Sequence, residues 1–235
     1  RVAGSVWRGK DGAASSDQPQ VTHSFSTGGV YEVTLIAYNE SYPLGVAATV
    51  TVQATTQTTY YVDIHNGTPA APFSSWATAA TNIQEAIDVA PRGEGVRVWV
   101  DNGVYATGGR TTGESATTNR VVIDKPVTVS SVNGPEATII QGTWDPTTTN
   151  GIGDAAVRCV YVGTNALLSG FTLTNGATRT ADGGGGAWCG DSGVLSNCVL
   201  TGNSAGSGGG SRFGILNGCT LAGNSAGFGG GSSDG

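Results

Sequence analysis

Short runs in which apolar and polar residues alternate dominate the chain. In GVYEVTLIAYN, residues 29–39, Val30, Glu32, Thr34 and Ile36 fall on one side and Tyr31, Val33, Leu35 and Ala37 on the other, the period of a β-strand. The turn-rich NESYPLG follows, then a second alternating run from Val46 to Val52, so the pair predicts an antiparallel hairpin at the edge of a sandwich. Helical spacing appears at Ile83, Ala86, Ile87 and Ala90. Thr81 or Asn82 can cap that short helix and Pro91 ends it, after which Val96, Val98 and Val100 alternate as a strand. Between hairpin and helix, ATTQTT at 54–59 has no periodicity and predicts a linker.

Towards the C-terminal end the alternation becomes a repeat. GVLSNCVLTGNSAGSGGG is followed by GILNGCTLAGNSAGFGGG, with Leu195, Cys198, Leu200, Asn203 and Gly208 each recurring 21 residues later as Leu216, Cys219, Leu221, Asn224 and Gly229. An earlier copy, LLSGFTLTNG, places Leu168, Phe171 and Leu173 at an offset of 27. VVIDKPVTVSSV, ATIIQG and CVYVG supply further short strands without a clean period. A repeat of short strands and glycine turns, with no helical stretch inside it, predicts that each copy is one coil of a β-solenoid. Coils then rise about 4.8 Å, so equivalent side chains stack. Leucine and cysteine fill the interior, asparagine bonds to its neighbours at turns, and glycine permits positive φ. A leucine-rich repeat would need more leucines and a helical side.

Composition narrows the class. Glycine supplies 39 of 235 residues and charged residues only 12%, against about 7% and 25% in average proteins, which favours turns and strands. The glycines cluster without a three-residue period, which excludes collagen. Net charge is −6, and the basic residues form no stripe, so nucleic acid is not an expected partner. Every apolar run is far shorter than the roughly 20 residues of a membrane span. The chain opens at Arg1, contains no methionine and stops within a repeat, and we read it as an internal piece that lacks further coils.

Two resemblances follow from these residues. HSFSTGGVYEVTLIAYN with ATVTV, and WRGKDG where WDFGDG is usual, resemble a PKD domain, an immunoglobulin-like surface module. That likeness covers residues 1–54 without the first strands, with Arg8 in place of the family's aspartate, and implies a spacer. YYVD, SWATAATNIQEAIDVA, RVWVDNGVY and the CxLxGNSAGxGGG units resemble the pectin-lyase-like right-handed parallel β-helix proteins, and the repeats are similar to those of polymorphic outer-membrane proteins. The expected architecture is therefore all-β: a partial PKD-like β-sandwich at 1–54, a linker at 55–59, and a right-handed parallel β-helix at 60–235 whose N-terminal cap spans 60–95. An amphipathic helix over the first coil would hide apolar side chains and unpaired strand edges.

The chemistry is sparse. From Gly183 onward the only charged residues are Asp191, Arg212 and Asp234, so the regular coils offer almost no acid or base. The richest stretch is QGTWDPTTTNGIGDAAVRC, in which Trp144 could stack on a sugar and Asp145, Asp154 and Arg158 could bond hydroxyls, although a turn-forming Asp-Pro and an aromatic covering the core explain the same residues. Arg179 and Asp182, beside a glycine run, are solvated loop charges on the simpler reading. That glycine run lacks the GK[ST] ending of a phosphate loop. Cys159, Cys189, Cys198 and Cys219 lack zinc-site spacing, so no metal or cofactor is expected. Cys198 and Cys219 should stack as reduced thiols, because parallel side chains keep their Cβ atoms farther apart than the usual 3.8 Å of a disulfide. Cys189 could pair with Cys159. His23 and His65 have no evident partner.

The sequence thus leads to an extracellular or cell-surface structural or adhesion protein, with polysaccharide or a surface glycan as partner and the oligomeric state open. The rival is a polysaccharide lyase or glycoside hydrolase of the same fold, since the β-helix resemblance implies either role.

Overall fold

The computed structural model describes residues 3–9, 12, 14–18, 20–21, 25, 28–54, 58–93, 95–113, 115–179 and 182–233. The chain divides into two compact units, Arg1–Gln57 and Thr58–Gly235. His23 and linker residues 55–57 lie outside the described residues.

The first unit is one antiparallel sheet of β1 (Gly4–Gly9), β2 (Ala14–Ser16), β3 (Gly29–Asn39) and β4 (Tyr42–Ala54) in the order β2-β1-β3-β4. The β3–β4 hairpin turns more tightly than NESYPLG suggests: Asn39 accepts a hydrogen bond from the Tyr42 backbone N–H at 2.8 Å, and β4 starts there. Pro43 is tolerated because β4 is an edge strand. No described residue of this unit is fully buried, and the second layer of a sandwich is not among the described residues.

The second unit is built from parallel sheets. Its strands are β5 (Thr59–Val62), β6 (Arg97–Val100), β7 (Gly103–Tyr105), β8 (Arg110–Thr112), β9 (Ser115–Ile123), β10 (Thr128–Ser131), β11 (Thr138–Gln141) and β12 (Val157–Val162). They continue as β13 (Leu167–Ser169), β14 (Thr172–Thr174), β15 (Ala187–Cys189), β16 (Val194–Ser196), β17 (Val199–Thr201) and β18 (Ser204–Ser207). The last are β19 (Ser211–Arg212), β20 (Ile215–Asn217), β21 (Thr220–Ala222), β22 (Ser225–Phe228) and β23 (Ser232–Ser233). One sheet runs β5-β6-β10-β13-β16-β20, a second β7-β11-β14-β17-β21, a third β8-β9-β12-β15-β19-β23, and β18 pairs with β22. All these pairings are parallel except β8 with β9, so the chain passes repeatedly through the same sheets in a solenoid-like, all-β arrangement.

Register makes the core. Val98, Val129, Leu168, Leu195 and Leu216 are successive partners in the first sheet, and Tyr105, Ile140, Leu173, Leu200 and Leu221 in the second. Every one of these up to Leu195 and Leu200 is buried, while Leu216, Cys219 and Leu221 in the last pass are only partly covered. Asparagine and glycine recur where φ must be positive: Gly170, Asn197 and Gly218 form one column at +79°, +51° and +61°, and Asn175, Gly202 and Gly223 another at +53°, +63° and +61°. The glycine runs have a second cause. A Cβ on Gly185 would stand 2.4 Å from the Ser204 carbonyl oxygen, and one on Gly209 2.4 Å from that of Ser225, so adjacent passes leave no room for a side chain.

Helix α1 (Ile83–Val89) starts at Asn82, whose side chain accepts from the Gln84 N–H at 2.8 Å. It buries Ile83, Ala86 and Ile87 and packs against β5, β6 and β9. Gln84 exchanges two hydrogen bonds with the Val122 backbone, accepting from its N–H at 2.8 Å and donating to its carbonyl at 3.1 Å, and so substitutes for the next strand of the ladder. Lys125 donates to the carbonyl of Ala90 at 2.6 Å, completing the helix C-terminus with a positive charge.

Candidate functional site

The loop singled out by sequence is a self-contained excursion between β11 and β12, closed by reciprocal backbone bonds of Thr143 and Val157. Asp145 is its hub: the buried carboxylate accepts from the Thr147 N–H at 2.8 Å, the Thr147 hydroxyl at 2.6 Å and the Ala155 N–H at 3.0 Å. These bonds hold it below the usual carboxylate range and occupy both oxygens. Trp144, 41% exposed, lies against Gly151, where a Cβ would come within 2.6 Å of the indole. Asp154 pairs with Arg179 at 2.6 Å on the surface. Arg158 is 1% exposed and belongs to a different set of contacts. The four residues are thus engaged separately: Trp144 against Gly151, Asp145 with Thr147 and Ala155, Asp154 with Arg179, and Arg158 elsewhere.

Arg158 sits on β12 beneath the glycine run at 183–186. Its guanidinium donates to the carbonyls of Gly184 at 2.7 Å and Gly183 at 2.8 Å, and to the Asn119 side chain at 2.7 Å. Burial pushes it down to about 10, which still leaves it cationic at neutral pH, and nearby Asp182 favours its charge. Asp182 in turn accepts short hydrogen bonds from the hydroxyls of Ser115 and Thr117 on the β8–β9 hairpin. Thr112, Ser115, Arg158, Asp182 and Arg212 line a cavity of about 80 Å³ that Tyr161 and Trp188 wall on the sheet side. The Thr112 hydroxyl oxygen is buried and has no hydrogen-bond partner.

Beside this cavity the outer face of the third sheet carries aromatic rings. Tyr161 and Trp188 are register partners whose rings stack at 4.8 Å with an interplanar angle of 6°. Phe213 meets Trp188 edge-on at 5.8 Å, and the Arg212 guanidinium lies 4.7 Å from the Phe213 ring centre. Sequence reasoning passed over these residues. The offset of 27 that superposes Leu168 on Leu195 also superposes Tyr161 on Trp188, and that was the available signal.

The four cysteines are free thiols, and among the described residues no group of three or more His, Cys, Asp or Glu side chains could hold a metal ion. His65 is exposed, with Nδ1 3.6 Å from the Asp63 carboxylate. Among the described residues no helix is long and apolar enough to cross a membrane. Comparison of the chain with known protein families, curated proteins and solved structures finds no match.

Proposed function

We propose that the Thr58–Gly235 unit is a right-handed parallel β-helix of the pectin-lyase-like kind, capped by α1, and that it serves outside the cell as a structural or adhesion element that binds polysaccharide on its lateral face. The Arg1–Gln57 sheet is, on this reading, the remnant of a PKD-like spacer. The observation that carries the binding role is the shelf formed by the stacked Tyr161 and Trp188 beside a cavity that mixes two guanidiniums, one carboxylate and an unsatisfied hydroxyl. Aromatic faces and edges take the C–H surfaces of sugars, while fixed polar groups at one side orient hydroxyls and charged substituents. Few acidic or basic groups line the rest of the repeats, which supports binding over hydrolysis or elimination.

The test is an array of neutral and acidic glycans probed with the full chain. Retention of at least one polysaccharide class, without release of cleavage products, is expected. Failure to bind any glycan, or turnover of one, contradicts the proposal.

A further inference from the structure

The cavity beside the shelf has a composition of its own. Thr112 comes from β8, Arg158 from β12 and Arg212 from β19, so three residues whose side chains carry hydrogen-bond donors line one small space from three strands. Ser115 also lines it, but its hydroxyl is donated to Asp182. Among the described lining residues Asp182 is the sole carboxylate and is already held by two hydroxyls, so the described lining sets two guanidiniums against one carboxylate. Arg158 uses three of the five N–H groups of a guanidinium on Gly183, Gly184 and Asn119. Arg212 rests on Phe213, and no described carboxylate lies within ion-pair distance of it, although its charge acts on Asp182. The hydroxyl of Thr112 is shut away from solvent without a partner, a state that buried polar groups rarely keep unless something occupies the space beside them.

Size limits the occupant. About 80 Å³ accommodates a few waters, which is room for one substituent of a sugar ring and too little for the ring itself. Geometry limits it further. Donors spread over three strands match three acceptor oxygens better than the two coplanar ones of a carboxylate, and guanidiniums suit oxyanions in particular. We infer that this cavity binds the sulfate ester of a sulfated glycan whose ring lies on the Tyr161–Trp188 shelf, an assignment that rests on the polysaccharide-binding reading above. The chain as a whole carries a charge of −6, so affinity for a polyanion would have to come from this local arrangement and not from the overall field.

The experiment compares binding of the full chain to dextran sulfate, unsulfated dextran, polygalacturonate and inorganic sulfate, for wild type, Arg212→Gln, Thr112→Val and Trp188→Ala, with thermal melting to verify that each variant is folded. Dextran sulfate is expected to bind at least tenfold more tightly than dextran, and Arg212→Gln to abolish that difference. Thr112→Val is expected to weaken dextran sulfate severalfold. Inorganic sulfate is expected to compete, which identifies the ester group as the recognised feature. Equal binding of polygalacturonate and dextran sulfate, or a preference for sulfate that survives Arg212→Gln in a folded variant, overturns the inference. Loss of dextran binding in Trp188→Ala together with no sulfate preference in wild type overturns it too, while leaving the shelf reading intact.

Discussion

Asn203 donates its side-chain amide to the side-chain oxygen of Asn224 at 3.0 Å, joining two residues that stand 21 apart in sequence and one pass apart in the fold. The same amide donates to the Leu173 carbonyl at 2.9 Å, and its oxygen accepts from the Gly176 N–H at 2.8 Å. Asn203 is fully buried, so Asn203→Ala strands two backbone groups away from water. Each such group costs about 1–3 kcal/mol, and a loss of about 2–4 kcal/mol is expected in urea unfolding. Asn224 makes the equivalent bond to the Leu200 carbonyl at 2.8 Å but is more exposed, and Asn224→Ala should cost about 1 kcal/mol. Equal losses for the two would contradict this reading of the ladder.

Glycine and asparagine at the corners separate conformational need from packing. Gly208 has φ of +59°, and a Cβ there would lie 2.1 Å from the Ser211 carbonyl oxygen. Gly208→Ala meets both the left-handed penalty of about 1–2 kcal/mol and a clash with backbone. Asn197, at +51°, has a backbone conformation that glycine adopts without strain, and that relief opposes the larger unfolded-state entropy of glycine, so Asn197→Gly should change stability by less than about 1 kcal/mol. Thermal melts of the two variants decide the matter.

Much of this arrangement is legible in the sequence, and the part that is not has a physical cause. Leu195 and Leu216, which the repeat aligns, are register partners, and the helix at Ile83–Val89 is where its spacing and the cap at Asn82 put it. Earlier passes keep the same register while their lengths change: Arg97 to Thr128, Thr128 to Leu167 and Leu167 to Val194 are partners at separations of 31, 39 and 27. Loops absorb the difference, so self-similarity fades although the stacking persists. The candidate site was obscured for another reason. Asp145, Asp154 and Arg158 are near in sequence, but the direction of each side chain depends on which pass lies beside it. Arg158 points beneath Gly183 and Gly184; the offset of 27 sets that glycine run beside it, but an offset does not give the direction of the side chain.

Thiol reactivity should follow depth. Burial pushes Cys159 and Cys189 up to about 12, and a hydrogen bond to Cys219 together with burial raises Cys198. Cys219, in the half-covered last pass, is lowered by its hydrogen bond with Cys198. Iodoacetamide at neutral pH, read by mass spectrometry, is expected to label Cys219 in the native protein and the other three only after denaturation. Rapid native labelling of Cys159 would be incompatible with this core.

Acid should loosen the second unit through Asp182. Burial alone would raise this carboxyl, but the Ser115 and Thr117 hydrogen bonds and the charges of Arg158 and Arg212 outweigh it and hold it below the usual range. Its contribution to stability is therefore complete above the unfolded value of about 3.9 and is lost as pH falls through the lower folded value. Asp88 behaves alike, burial being outweighed by hydrogen bonds from Arg110 and Gln84. Unfolding free energy measured from pH 6 downward should drop below about pH 4, and less steeply in Asp182→Asn. An unchanged acid limb in that variant would remove Asp182 from the account.

The claim on which the functional reading turns is that glycan lies on the Tyr161–Trp188 shelf and not on the Trp144 loop. Affinity electrophoresis through gels containing the polysaccharide that wild type binds measures it directly, with Trp188→Ala and Trp144→Ala run side by side. The account predicts at least a tenfold loss, about 1.4 kcal/mol or more, for Trp188→Ala and wild-type retardation for Trp144→Ala. Retardation lost in Trp144→Ala and kept in Trp188→Ala would contradict it.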